Sequence, residues 1–170
     1  TLKDLADLTG LLTGYLSQIE RNKSSPTIKA MIDISQALGV SIGDFFGGEG
    51  ASLQGANKYI VRADQRLEIR FGRGVVDQLL NTRSVTQLEF LRCTFEPGAG
   101  ASEDNQEGYS HEGEECGIVL SGSLEFNVDG EIFTVNEGDS FSYPSTLKHH
   151  YHNPTDEEAV VIWCISPPSY

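Results

Sequence analysis

Apolar positions recur along this chain with two different periods. Over residues 1–46 the spacing is three or four. Leu2, Leu5 and Leu8 form one series, Leu16 and Ile19 a second, and Ile28, Met31, Ile32, Ile34 and Leu38 a third. That spacing predicts short amphipathic helices. Their punctuation agrees: Thr1 can cap the first series, Gly10 stops it and Gly39 stops the third. Pro26 fits a first helical turn with Ser24 or Ser25 as its cap, and Phe45-Phe46 closes a fourth short segment. Three or four such helices joined by tight turns make a small bundle.

Beyond Gly47 the pattern changes. Gly-Gly-Glu-Gly-Ala-Ser-Leu-Gln-Gly has no period and little to bury, so residues 47–56 read as a linker. After it the period becomes two. The stretches 87–95, 118–120, 123–128 and 159–163 alternate as strands, separated by Pro97-Gly98, Ser121-Gly122, Asp129-Gly130 and Glu137-Gly138. Asp129-Gly130 between two apolar runs is a hairpin signal. Short strands with regular glycine turns and no helical stretch between them predict a β-sandwich or barrel over residues 57–170.

The length, 170 residues, accommodates these two units. With 38% apolar and 22% charged residues the composition is that of a soluble globular protein. No apolar run approaches the ~20 residues of a membrane span, and no leader precedes the first helical pattern. Three cysteines, odd in number and without metal-finger spacing, argue against a disulfide scaffold and for a reducing, cytoplasmic setting. Membrane protein, secreted mini-domain and disordered tail are the classes excluded.

The helical part carries the first candidate chemistry. Residues 1–10 and 11–23 read as helix, glycine turn, helix, in which the first helix braces on the DNA backbone and the second enters the major groove. Tyr15-Leu-Ser-Gln-Ile-Glu-Arg21, Ser25-Pro-Thr27 and Ala37-Leu-Gly-Val-Ser41 resemble the XRE-type (phage-repressor-like) helix-turn-helix family, over Thr1 to Phe46. The resemblance places Thr13, Gly14, Tyr15, Ser17 and Gln18 toward the groove, and Lys23, Ser24 and Ser25 against phosphate. Gln18 is the best base reader, because its amide pairs bidentately with adenine. Leu16 and Ile19 should be core. Relative to the family a first helix is missing before Thr1, and Leu12 stands where a capping Ser or Thr is usual, so Thr13 is a candidate cap. Four bases against five acids over residues 1–46 give a weak field, so tight binding needs a dimer on two half-sites.

In the β part, Tyr109-Ser-His111-Glu-Gly-Glu-Glu115 through Gly122, and Gly138 through Pro144 continuing to His149-His-Tyr-His-Asn153, resemble the cupin family of jelly-roll β-barrels. The resemblance implies a pocket at one end. Its metal ligands fall on His111, Glu115 and His149, with Tyr109 in place of a further histidine. Strand alternation agrees, placing Glu115, Gly117 and Val119 on one face and Cys116 and Ile118 on the other. Zinc, iron or nickel would suit such a set. Without an ion, the same residues would hydrogen-bond a ligand.

The net charge of −13 is concentrated around the barrel. From Glu96 to Glu158 there are fifteen acids and one base, Lys148. Acids lining a cleft would concentrate cations, and rings at Tyr109, Tyr143 and Trp163 would suit an ammonium group; equally, the acids could be a solvated surface. The two parts together resemble one-component bacterial regulators, nearest the putrescine-utilisation repressor group. The expectation is a cytoplasmic, homodimeric, non-enzymatic regulator, a repressor, that binds double-stranded DNA. Its cupin pocket would sense a small cationic effector, a polyamine or related amine. Tyr109, His111, Glu115, Tyr143, His149 and Trp163 are the expected ligand-binding residues. The alternatives are a metal-dependent cupin enzyme with an attached DNA-binding domain, and a barrel that serves only to dimerise.

Overall fold

The computed structural model describes residues 1–40, 45, 59–82, 87–100 and 108–168. Three helices come first: α1 (Leu2–Thr9), α2 (Thr13–Glu20) and α3 (Ile28–Leu38). α1 begins with a capping box in which the Thr1 hydroxyl accepts from the Asp4 N–H, and Gly10 ends it in the left-handed region at φ 71°. α2 starts after Leu12, which is extended and supplies no side-chain cap. Thr13 is the first residue inside the helix and therefore does not cap it.

The start of α3 differs from expectation. Thr27, not Ser24 or Ser25, is the cap, its hydroxyl accepting from the Ala30 N–H at 3.1 Å. Pro26 precedes the cap instead of occupying the first turn, since a cap must sit three residues before the donor it satisfies. Gly39 ends α3 as the pattern requires. Of the fourth segment only Phe45 is among the described residues, and the linker lies outside them.

Nine strands follow among the described residues: β1 (Leu67–Phe71), β2 (Val75–Leu79), β3 (Glu89–Phe95), β4 (Glu114–Ser121), β5 (Ser123–Val128), β6 (Glu131–Asn136), β7 (Ser140–Pro144), β8 (His149–His152) and β9 (Ala159–Ser166). One sheet has the order β1-β2-β3-β9-β4-β7 and the other β6-β5-β8, a cupin-type β-sandwich. β3, β4, β5 and β9 are the strands the alternation marks. β5 and β6 form the expected hairpin, with Asp129 at φ 53° and Gly130 at φ 85°, both positive as a type I′ turn demands.

The core runs between the sheets around Leu91, Val119, Leu124, Phe126, Val161 and Trp163, and Met31 and Ile32 of α3 belong to the same buried cluster. The helices are thus docked on the barrel through α3. A backbone bond fixes the contact, Gly72 N donating to Pro26 O at 2.7 Å. A Cβ at Gly72 would stand 3.2 Å from the Ser25 carbonyl oxygen, so only glycine lets the two backbones approach without adjustment. Among the described residues, no helix is long and apolar enough to cross a membrane.

Candidate ligand cavity and DNA-reading helix

The site is built around one carboxylate. Strand alternation turns Glu115 of β4 inward, where it is 3% exposed. Its Oε2 accepts from Trp163 Nε1 of β9 at 2.6 Å and from the Tyr151 hydroxyl of β8 at 3.0 Å. The hydroxyls of Tyr143 and Tyr151 are bonded to each other, extending the network to β7. Its Oε1 lies 3.3 Å from His111 Nε2 and 3.4 Å from His149 Nε2. Among the described residues neither Glu115 Oε1 nor His149 Nε2 makes a well-aligned hydrogen bond.

The far side of each imidazole explains this. His149 Nδ1 is 2.8 Å from the Leu147 carbonyl and His111 Nδ1 is 3.1 Å from the Glu112 carbonyl. A carbonyl only accepts, so each Nδ1 carries the proton. In the neutral rings both Nε2 atoms then present lone pairs toward a carboxylate oxygen. Three acceptors facing one another repel unless a positive charge sits among them. A proton on His111 is one such charge: burial pushes its pKa down, but the Glu115 carboxylate and the Glu112 carbonyl push harder and leave it raised. His149 is driven down by burial, with Glu115 opposing. Burial also disfavours the Glu115 anion, yet His111, His149 and Tyr143 outweigh it and hold its pKa at about 2.

The three expected metal ligands therefore converge, their ligand atoms lying within 4.8 Å of one another. The orphaned Glu115 Oε1 and His149 Nε2 fit a divalent ion with water completing its shell. Tyr109 packs its ring edge-on to His149, centroids 4.5 Å apart, and burial raises its phenol well above the ordinary range, so it is a wall and no fourth anionic ligand. Trp163 lines the inner cavity and has a second role there. Its N–H is committed to Glu115 and its ring stacks on Phe126 at 5.5 Å, so it positions the carboxylate. Tyr143 likewise acts through Tyr151 and Glu115.

Two cavities meet here. The inner one, about 20 Å³, is lined by Asp77, Cys93, Tyr109, His111, Glu115 and Tyr151, among others. The outer one, about 60 Å³, lies between the start of α3 and the barrel mouth. Ile28, Phe95, Tyr109 and Tyr151 line both, so the first residue of α3 reaches the wall of the barrel's interior. Among the described residues, Glu115 alone of the fifteen acids borders the inner cavity, Glu114 joins it at a more open cleft beside β4 and β7, and most of the others are exposed. The second carboxyl inside is Asp77, from β2.

Asp77, Tyr151 and Ile28 were not singled out from the sequence. Tyr151 had a signal, since alternation from His149 returns to the same face two residues later. Asp77 had one too, as a charged residue in the apolar phase of Val75-x-Asp77-x-Leu79. Ile28 had none, because its helical spacing reads as bundle core.

On α2, Thr13, Gly14 and Gln18 are exposed, Tyr15 and Ser17 half-buried, and Leu16 buried. Ile19 is half-buried. The Tyr15 hydroxyl accepts from the Thr27 N–H at 3.4 Å, tying α2 to the start of α3. In the loop, Lys23 and Ser25 are exposed and Ser24 half-buried.

Comparison with known proteins follows the same division. Residues 1–45 match the helix-turn-helix family model and residues 91–165 the cupin domain model. The chain is 24% identical over 97% of its length to the HTH-type transcriptional regulator PuuR of Escherichia coli, covering 86% of it. To the HTH-type transcriptional regulator SutR of the same organism it is 29% identical over 90% of the chain, covering 79% of that protein. A solved HTH_3 family transcriptional regulator from Vibrio cholerae superposes with a TM-score of 0.64 and 25% identity, over 98% of this chain and 86% of that one. An RmlC-like cupin from Shewanella frigidimarina covers 65% of this chain and 92% of its own, with a TM-score of 0.55 and 25% identity. The chain joins an XRE-type helix-turn-helix to a cupin domain and is homologous to the transcriptional regulators PuuR and SutR.

Proposed function

We propose that the protein is a cytoplasmic, effector-responsive repressor, working as a homodimer, whose α2 reads operator DNA and whose barrel admits a small amine such as a polyamine. The observation that carries the effector class is Glu115 Oε1: buried, ionised and faced only by the His111 and His149 Nε2 atoms at 3.3 and 3.4 Å, in a cavity lined, among the described residues, by neither Lys nor Arg. An ammonium group supplies a donor to this oxygen and takes over the charge that a proton on His111 otherwise provides. Gln18 and Thr13 on the exposed face of α2 contact bases, and Lys23 with Ser25 contacts phosphate.

Ile28 supplies the coupling. At about 20 Å³ the inner cavity has room for roughly one water. An alkylamine enters only when Ile28 withdraws, and Ile28 begins α3, which packs on the barrel and is tied to α2 through Tyr15. Effector binding and this docking of the helices therefore exclude each other. A population shift between docked and released helices changes the spacing of two DNA-reading helices in the dimer, and only one spacing fits both half-sites.

The convergence of His111, Glu115 and His149 favours a second reading, in which these residues hold a divalent ion. The ion would supply a Lewis-acidic centre and neutralise Glu115, and the site would then select an anionic, oxygen-donor effector. Melting and operator-binding curves with 1,4-diaminobutane and with succinate separate the two. The amine reading expects the diamine to raise Tm with concentration and release operator, both effects vanishing in Glu115→Gln. A response to succinate alone refutes it.

A further inference from the structure

We propose that Cys116 and Cys164 form a redox-active dithiol on the outer face of the larger sheet, oxidised by exchange with a low-molecular-weight disulfide. The two residues stand directly opposite each other in the antiparallel pairing of β4 with β9. Residues so opposed project to one face with Cβ atoms about 4.5–5.5 Å apart, and a disulfide spans Cα atoms about 4.4–6.8 Å apart. Both cysteines are free, and their thiols are in hydrogen-bonding contact. Alternation turns Glu115, Trp163 and Ile165 inward, which leaves Cys116 exposed and Cys164 half-buried. The third cysteine, Cys93, is buried in the core. A thiol packed in a core acts as a small apolar group, whereas a pair at the surface adds little packing and stays open to reaction. Ser142 of β7, small and polar, is the other cross-strand neighbour of Cys116. All three residues border an open cleft of about 470 Å³, so a peptide-sized reactant has access to the sulfurs.

The exchange takes two steps. Cys116, the more exposed, loses its proton and attacks one sulfur of the incoming disulfide. A mixed disulfide forms, the incoming S–S bond breaks, and one small thiol leaves with that proton. Cys164 then attacks the Cys116 sulfur and expels the second small thiol, which takes up the Cys164 proton. The protein gives up two electrons and two protons, and the incoming disulfide is reduced to two thiols. The second step is intramolecular between residues already in register, which favours the internal bond over a lasting adduct. An exposed crosslink is readily reduced again, so in a reducing compartment it is a transient state and not a scaffold. Its position ties it to the barrel interior. Glu115 precedes Cys116 and Trp163 precedes Cys164, and these two neighbours are bonded to each other on the inner face at 2.6 Å. The dithiol thus lies directly behind the strands that set this contact, and its chemistry does not depend on what occupies the cavity.

Oxidised glutathione added to the folded, full chain tests this, followed by quenching with N-ethylmaleimide and peptide mass spectrometry. The wild type should yield a Cys116–Cys164 crosslink within one chain, removed by dithiothreitol. Cys164→Ser should stop at a glutathione adduct on Cys116, and the wild type should hold at least about tenfold less of that adduct. Free thiols at both positions after prolonged incubation overturn the assignment. So do a stable wild-type adduct without the internal bond, a crosslink through Cys93, and a disulfide joining two chains. Each of these is read on the wild type, so the test stands even if Cys164→Ser does not fold.

Discussion

The outer face of α2 and the inner face of the barrel treat polar side chains in opposite ways. Thr13 and Gln18 stand in water, where their hydrogen-bonding groups are satisfied whatever the protein does. Glu115, Asp77 and His149 are buried with atoms left unpaired. An exposed amide costs the fold nothing, so its presence says little until a family pattern or a DNA complex gives it a meaning. A buried unpaired polar atom costs about 1–3 kcal/mol, more when charged, so a fold that keeps several together is carrying a penalty that a ligand can relieve. Function is therefore argued from the pattern of residues on α2 and from the energetics of the fold inside the barrel.

The largest effect expected from that difference is at Asp77. Its folded pKa, about 7, lies above the ordinary 3.8, so the folded state holds a proton that the unfolded chain has released. Stability should fall as pH rises from about 4 to 7 and stay low above that. The full loss is on the order of 4 kcal/mol at 1.36 kcal/mol per pKa unit. Asp77→Asn removes this titration while Cys93, Glu89, Glu115 and Tyr109 around it remain. Urea unfolding of both proteins should show the variant gaining on the wild type across that window, with the gap constant above pH 8. A gap independent of pH would mean that Asp77 is ionised and paired in the fold, and the contrast with α2 would lose its strongest member.

Metal comes next in size. If His111, Glu115 and His149 take up zinc, a free concentration of one hundred times Kd adds about 2.7 kcal/mol of stability, which a chelator should reverse. Tm measured with zinc and then with excess chelator reads this directly. His149→Ala should abolish the shift, because it deletes the ligand whose Nε2 is unpaired. No shift up to millimolar zinc would remove the metal reading and sharpen the case for an ammonium at Glu115.

Much of the architecture is legible in the sequence, for reasons visible at single residues. The change from a three- or four-residue period to two follows from the backbone geometry of helices and strands, and Asp129-Gly130 favours a turn of one type. Glu115 and His149 were found because family spacing and strand alternation agree. What escaped were contacts between elements distant in the chain. The cap of α3 moved to Thr27 because the choice among neighbouring serines and threonines is settled by which oxygen meets the Ala30 N–H. Trp163 proves to be a donor as well as a wall, its N–H reaching Glu115 forty-eight residues away. Ile28 looked like bundle core, and only the docking of α3 on the barrel shows that it also closes the cavity.

The DNA side allows a matching test of about 1–3 kcal/mol. Gln18→Ala should lose that much affinity for the cognate operator and relax selectivity at one base pair, as expected when a bidentate amide contact is removed. Gel-shift titration against an operator library would measure both. Because Gln18 is exposed and bonds to nothing through its side chain among the described contacts, the variant's Tm should not move. A large fall in Tm would place Gln18 with the structural residues and erase the distinction drawn between the two faces.

The smallest effect expected is at Lys23, and it isolates the electrostatic part of DNA binding. Its backbone N–H closes the end of α2 by donating to the Gln18 carbonyl at 2.8 Å, which holds the loop in place whatever the side chain is. The exposed ammonium is then free to meet phosphate. Lys23→Ala should weaken cognate and random DNA by the same factor and reduce the slope of log K against log salt by about 1 for each protomer. With only four bases against five acids in residues 1–46, one phosphate contact is a large share of the field, so the change in slope should be easy to resolve. Affinity measured between 50 and 200 mM salt (about the range over which counterion release dominates) is the experiment. An unchanged slope with reduced affinity would mean that Lys23 orders the loop and does not neutralise a phosphate. The operator would then be held by the base contacts of α2 and by the dimer alone.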